Sequence, residues 1–179
     1  GIATGIIGEA QQTNIYGNTI SALKTTGPAN VCGIYTDLGT TINIYKNKIY
    51  NLESNNSSGY WVDGMNIFSS TIGSTTNIYN NLIGDLRALS TNTSTNNVYF
   101  NTIYINATSS AATFGTTGIY HSASTTATTA KLDLRNNIIV NSSTPKGTTG
   151  YTVAYRRSDG SASNFLENYA NTSDYNLFY

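Results

Sequence analysis

The sequence predicts an all-β coil of short strands that stack repeat upon repeat, about six repeats in a single domain spanning residues 1–179. Three observations predict it: a six-residue pattern that keeps returning, apolar residues that alternate with period two around it, and the absence of any stretch with a helical period. Alternation of this kind marks strands with one buried face.

The pattern reads apolar, Tyr, any residue, Asn, any residue, apolar. It occurs as Ile15-Tyr16-Gly17-Asn18-Thr19-Ile20, Ile44-Tyr45-Lys46-Asn47-Lys48-Ile49, Ile78-Tyr79-Asn80-Asn81-Leu82-Ile83 and Val98-Tyr99-Phe100-Asn101-Thr102-Ile103. A fifth copy, Leu134-Arg135-Asn136-Asn137-Ile138-Ile139, replaces Tyr by Arg, and a degenerate sixth lies at Tyr175-Asn176-Leu177-Phe178. Successive Asn positions are 29, 34, 20, 36 and 39 residues apart. The shortest interval just accommodates three short strands and their turns, and the longer ones read as the same repeat with an enlarged loop. Upstream sits a second element: Gly5-Ile6-Ile7, Gly33-Ile34-Tyr35, Gly64-Met65-Asn66 and Gly118-Ile119-Tyr120, with Tyr151-Thr152-Val153 as a weakened last copy. Ser/Thr/Gly tracts of varying length join the two. A β-sandwich would not require the same Asn after the same turn, and helical or leucine-rich repeats need periods that are missing here.

Composition narrows the function. The chain has 179 residues, nine basic and nine acidic, for a net charge of zero. Nucleic-acid binding would need a basic stripe, so it is not expected. No apolar run is long enough for a membrane-spanning helix, and no membrane insertion is expected. Asn, Ser and Thr make up about 40% of the residues and Tyr is the commonest aromatic, with fourteen. The polarity is therefore hydroxyl and amide, which suits an exported surface protein. A single cysteine, Cys32, rules out an internal disulfide, and only two prolines interrupt strand pairing.

Phrases such as Asn136-Asn137-Ile138-Ile139-Val140-Asn141 and Ser173-Asp174-Tyr175-Asn176-Leu177-Phe178-Tyr179, together with the Ile-x-x-Asn-x-Ile repeats, resemble those of right-handed parallel β-helix proteins of the pectate-lyase-like superfamily, especially its exported bacterial members. The resemblance covers essentially the whole chain and implies a right-handed parallel β-helix of about six rungs. It implies little about activity, because that fold hosts lyases, hydrolases, adhesins and passive scaffolds.

Stacking sets equivalent residues about 4.8 Å apart. Asn18, Asn47, Asn81, Asn101 and Asn137 are then expected to form an internal amide ladder at a turn, a structural role preferred here over sugar binding. Ile15, Ile44, Ile78, Val98 and Leu134 should line the core on one side of the turn. Ile20, Ile49, Ile83, Ile103 and Ile139 should line it on the other, continued by Leu23, Leu52 and Leu86. Alternation sends Tyr16, Tyr45, Tyr79, Tyr99 and Arg135 outward in a row. That row reads first as sheet surface and second as a partner or sugar surface. Lys24, Glu53 and Arg87 each follow their ladder Asn by six residues and are expected in one charge-alternating row.

Catalytic chemistry is sparse. Polysaccharide cleavage on this fold needs paired carboxylates, or acidic residues gripping Ca²⁺ beside a basic residue. The polygalacturonase-type signatures Asn-Thr-Asp, Asp-Asp, Gly-His-Gly and Arg-Ile-Lys are missing. No cofactor is expected; the one weak metal candidate is a Ca²⁺ site at Glu9 and Asp37, each four residues after its Gly. His121 reads as a satisfied surface histidine, and Arg156-Arg157-Ser158-Asp159-Gly160 as a solvated polar turn. Asn56, Asn92, Asn106, Asn141 and Asn171 open glycosylation-type triplets that chance supplies in such a composition.

The chain starts at Gly1 without a Met, reading as processed or excised, and shows no amphipathic capping helix at either end. It is expected to be either a segment of a longer solenoid or a subunit that stacks end to end. The functional expectation is a non-enzymatic extracellular or cell-surface structural or adhesive β-solenoid, self-associating head to tail into a filament. The alternative is a β-helix that binds or cleaves polysaccharide.

Overall fold

A computed structural model describes residues 2–27, 29–54, 61–69, 71, 73–84, 86–90, 94–109, 112–122, 131–157 and 169–179. The described residues form strands and connecting turns without a helix. In chain order the strands are β1 (Ile2–Gly8), β2 (Gln12–Tyr16), β3 (Thr19–Ser21), β4 (Lys24–Thr25), β5 (Asn30–Thr36), β6 (Thr41–Tyr45), β7 (Lys48–Tyr50) and β8 (Glu53–Ser54). They continue with β9 (Val62–Ser69), β10 (Thr75–Tyr79), β11 (Leu82–Ile83), β12 (Leu86–Ser90), β13 (Thr95–Tyr99) and β14 (Thr102–Ile105). The last five are β15 (Thr116–Ser122), β16 (Lys131–Arg135), β17 (Ile138–Asn141), β18 (Thr152–Arg157) and β19 (Leu177–Phe178).

Each strand pairs with its counterpart in the neighbouring repeat. One sheet runs β1-β5-β9-β12-β15-β18, a second β16-β13-β10-β6-β2, a third β19-β17-β14-β11-β7-β3, and β4 pairs with β8. Every pairing between these strands is parallel. The fold is all-β, built on parallel sheets.

The apolar columns set the register. Ile15, Ile44, Ile78, Val98 and Leu134 are successive partners in the second sheet. In the third, Ile20 partners Ile49, and Ile83, Ile103, Ile139 and Phe178 follow one another. In the first, Ile6, Ile34, Met65, Leu86, Ile119 and Tyr155 occupy one register position. Ile15, Ile34, Ile44, Ile49, Met65, Ile78, Ile83, Val98, Ile103, Ile119, Leu134 and Ile139 are all buried in one cluster, with Leu23 and Leu52 packed against it. Each such side chain contributes roughly 1.5–3 kcal/mol by leaving water.

The glycines of the second element have a packing reason. A Cβ on Gly33 would lie 2.5 Å from the Gly64 carbonyl oxygen and 2.6 Å from Ile49 Cγ2; one on Gly118 would meet Ala154 O and Ile139 Cγ2, each at 2.5 Å. Backbone from the next repeat and an isoleucine from the third sheet converge there, so only glycine fits without a shift.

Three sequence expectations change. Leu86 and Arg87 do not follow Leu52 and Glu53: both lie on β12, where Leu86 pairs with Met65 and Ile119, and Arg87 with Asn66 and Tyr120. After Asn81 the chain runs through the two-residue β11 and enters the first sheet at Leu86, where the two earlier repeats reach β4 and β8, so a fixed offset from the Asn lands on a different sheet. The last copy of the second element is Ala154-Tyr155-Arg156, three residues beyond Tyr151-Thr152-Val153, because Ile119 pairs with Tyr155. Arg156 and Arg157 belong to β18 and not to a solvated turn; Ser158, Asp159 and Gly160 lie outside the described residues.

Candidate functional site

The returning Asn sits just after a sharp bend between the second and third sheets. The residue before it adopts left-handed backbone each time: φ is 67° at Gly17, 56° at Lys46, Asn80 and Phe100, 54° at Asn136 and 55° at Tyr175. Only one of the six is glycine. The others hold a conformation that costs a non-glycine residue about 1 kcal/mol or more. What holds them there is the amide that follows.

Each ladder Asn donates twice to the side-chain oxygen of its counterpart in the next repeat, once from its backbone N–H and once from Nδ2. From Asn18 to Asn47 Oδ1 these bonds are 3.1 and 3.0 Å, from Asn47 to Asn81 3.0 and 3.1 Å, and from Asn81 to Asn101 both 3.0 Å. From Asn101 to Asn137 they are 3.0 and 3.2 Å, and from Asn137 to Asn176 3.1 and 2.8 Å. Nδ2 also reaches back: Asn81 donates to Ile44 O at 2.9 Å and to its own repeat's Tyr79 O at 3.1 Å. Asn47, Asn81, Asn101 and Asn137 are buried, so these bonds occupy polar groups that water cannot reach. Asn176, in the degenerate copy, is a full member of the file.

A second amide file runs along the outer face of the second sheet. Asn43 Nδ2 donates to Asn14 Oδ1 at 2.9 Å, Asn77 to Asn43 at 2.8 Å and Asn97 to Asn77 at 2.8 Å. Donation runs from each repeat to the preceding one, opposite to the buried file. This file is not among the sequence expectations, although its signal is plain: an Asn stands four residues before each ladder Asn from Asn18 to Asn101. In the fifth copy that position is Asp133.

Beside it stands the aromatic row. Tyr16 and Tyr45 stack with centroids 5.0 Å apart and planes 5° from parallel, and Tyr45 and Tyr79 at 4.9 Å and 4°. Both faces of Tyr45 are covered, so the ring turns edge and hydroxyl outward, and its pKa is raised by desolvation and by its two neighbours. Tyr99 binds elsewhere. Its hydroxyl lies 2.8 Å from Asp133 Oδ2, to which it donates, and 3.2 Å from Asn97 Oδ1, while the Arg135 guanidinium covers its ring at 5.2 Å. Burial and the bond to Asp133 push the Tyr99 pKa up to about 12.

Asp133 and Arg135 replace Asn and Tyr together. Arg135 Nε donates to both carboxylate oxygens at 3.0 Å, and the Thr172 hydroxyl donates to Oδ2 at 3.0 Å. Burial pushes the Asp133 pKa up, but the bonds from Arg135, Tyr99 and Thr172 outweigh it and leave the group below its ordinary value. This carboxylate is fully engaged in neighbouring side chains.

Glu9 and Asp37 follow directly on the paired Gly8 and Thr36, with Asp37 N–H donating to Gly8 O at 3.3 Å. Tyr35 lies near enough to both that, after burial, their charges raise its pKa. Asp37 Oδ1 accepts the Leu38 N–H at 2.7 Å. Among the described residues no group of three His, Cys, Asp or Glu stands together as metal ligands. Lys24 and Glu53 form an exposed ion pair at 3.0 Å across β4 and β8.

His121 is buried, contrary to the surface position expected. Alternation explains it: Ile119 faces the core, so His121, two residues on, faces it as well. Burial, and then the charge of Arg157 in the neighbouring strand, lower its pKa to about 4. Asn141 is also buried, its Nδ2 donating to Thr116 O and Val153 O, which makes it a poor glycan acceptor. Asn106 and Asn171 are exposed, and Asn56 and Asn92 lie outside the described residues. No protein-family model matches the chain, and neither a curated protein nor a solved structure matches it.

Proposed function

We propose that the chain is a right-handed parallel β-helix of about six rungs, of the pectate-lyase-like kind, exported to the cell exterior as a non-enzymatic structural or adhesive element that stacks end to end into a filament. The observation that carries this reading is the in-register parallel stacking of successive repeats: Ile15, Ile44, Ile78, Val98 and Leu134 partner one another in turn over a continuous buried core, beside a file of bonded amides. A layer of this geometry offers the next one matching strand edges and apolar columns, which favours further stacking. A right hand follows from the strong preference for right-handed crossovers between parallel strands.

The outer surface supports a scaffold more than an enzyme: amides and rings bond to one another along the sheet, and the Asp133 carboxylate is taken up by Tyr99, Arg135 and Thr172. Polysaccharide binding, the alternative, relies on the same Tyr row. Sugars stack on ring faces, and those of Tyr45 are covered, so the scaffold reading is the stronger.

Sedimentation and electron microscopy of the purified chain test the proposal. Rod-shaped species far above 19.2 kDa that grow with concentration are expected. A monodisperse particle of that mass at every concentration overturns it.

A further inference from the structure

The outward row of the second sheet brings into contact phenol rings that the sequence holds 29 and 34 residues apart. Tyr16, Tyr45 and Tyr79 share one register position, and their rings lie nearly parallel with centroids 5.0 and 4.9 Å apart. Among the described residues no other tyrosines stack in this way. Tyr155 and Tyr169 meet edge to face at 6.0 Å, packed against the core. Tyr45 and Tyr79 are half-buried on an outer face, so solvent reaches their ring edges. Tyr99, next in register, is withdrawn from the row: its hydroxyl is held by Asp133 and its ring is covered by Arg135. The row therefore offers two ring pairs with Tyr45 in common.

We propose that this row is a site of oxidative cross-linking, at which a one-electron oxidant joins Tyr45 to Tyr16 or to Tyr79 as dityrosine. Each phenol gives one electron to the oxidant and its hydroxyl proton to water, leaving two ring radicals. A carbon–carbon bond then forms between the ring carbons ortho to the two oxygens. The hydrogens on those carbons leave as protons and each oxygen regains one, so the product has lost two electrons and two protons in all. The rings reach bonding distance by turning about χ1 and χ2, which their place on an outer face allows. Because the partners are already neighbours, the coupling needs no diffusional encounter. The new bond closes a loop of 29 or 34 residues and restricts the unfolded chain as a disulfide would. It does so in a chain whose single cysteine, Cys32, is free and buried. Nothing in this chemistry requires end-to-end assembly.

Photo-oxidation of the purified chain by a ruthenium tris-bipyridyl complex with persulfate tests the proposal; each persulfate takes up two electrons and leaves two sulfates. Intact-mass analysis after denaturation is expected to show a single chain lighter by two hydrogen atoms, with dityrosine fluorescence. Its digest should contain Tyr45 peptides joined to Tyr16 or Tyr79 peptides, and the cross-linked chain should unfold at higher urea than the untreated one. Tyr45→Phe keeps a ring in the stack but removes the shared phenol, and should abolish both links. Tyr79→Phe should leave only the link between Tyr16 and Tyr45. Tyr104 and Tyr151 are 52% and 58% exposed, more open than Tyr45, yet neither has a stacked ring among the described residues. Tyr104→Phe and Tyr151→Phe should therefore leave the yield unchanged, and thermal melts establish that all four variants are folded. Links that map chiefly to Tyr104 or Tyr151, an undiminished yield in folded Tyr45→Phe, or links formed only between chains would each overturn the proposal.

Discussion

The two amide files use the same residue at the same spacing and carry different loads. In the buried file each side chain occupies backbone donors and acceptors from two repeats at a bend that left-handed residues alone would not hold. In the outer file each amide makes one bond to its neighbour, in reach of water, and the strands beneath it are already paired. The comparison teaches that stacking identical side chains is not itself the source of stability. What counts is how many otherwise orphaned groups the stack satisfies.

The largest expected effect comes from the buried file. Asn101→Leu strands the Asn81 N–H, takes one of three acceptors from Asn81 Nδ2, removes the Asn101 donor to the Ile78 carbonyl, and should cost about 3–4 kcal/mol in urea unfolding. A loss below about 1 kcal/mol would erase the distinction. Next comes acid. With a folded-state pKa near 4 against an ordinary value of 6.5, His121 binds its proton more readily when the chain is unfolded. Its contribution is therefore whole above pH 6.5 and is lost as pH falls towards 4, by about 3 kcal/mol. Replacing His121 by Leu should flatten that part of the stability profile, and an unchanged slope would place the titration elsewhere.

Smaller effects sharpen the contrast. Phe100→Gly, at an exposed left-handed position, should raise stability by about 1 kcal/mol, measured by thermal melting. A drop would mean that the ring packs usefully. Least of all, Asn77→Ala in the outer file should cost about 0.5 kcal/mol. A loss comparable with that of Asn101→Leu would make the two files equivalent after all.

Much of this was legible from period and spacing. The apolar columns follow from alternation on either side of the returning Asn, and the close glycine of the second element announced the first sheet. The outer file was equally visible in the phrases Asn14-Ile15-Tyr16, Asn43-Ile44-Tyr45 and Asn77-Ile78-Tyr79, but outward polar residues carry no burial signal and so invite no scrutiny. Arg87 was misplaced because loop length changes between repeats while an offset counted from Asn81 does not. His121 was misplaced because a polar residue in an alternating strand was assigned to solvent by its type, not by its parity. Neither Tyr99 turning to Asp133 nor Arg135 covering its ring could be seen without coordinates, because both depend on a paired substitution across two columns.

The opposite directions of the two amide files have an electrical consequence. Carboxamide dipoles aligned head to tail add up along a structure, as peptide dipoles do in an α-helix, whereas sheet backbones contribute little because their groups alternate. Here one file donates from each repeat to the next and the other from each repeat to the one before. The two sums oppose each other, so the side-chain amides leave less net dipole along the stacking direction than either file would alone.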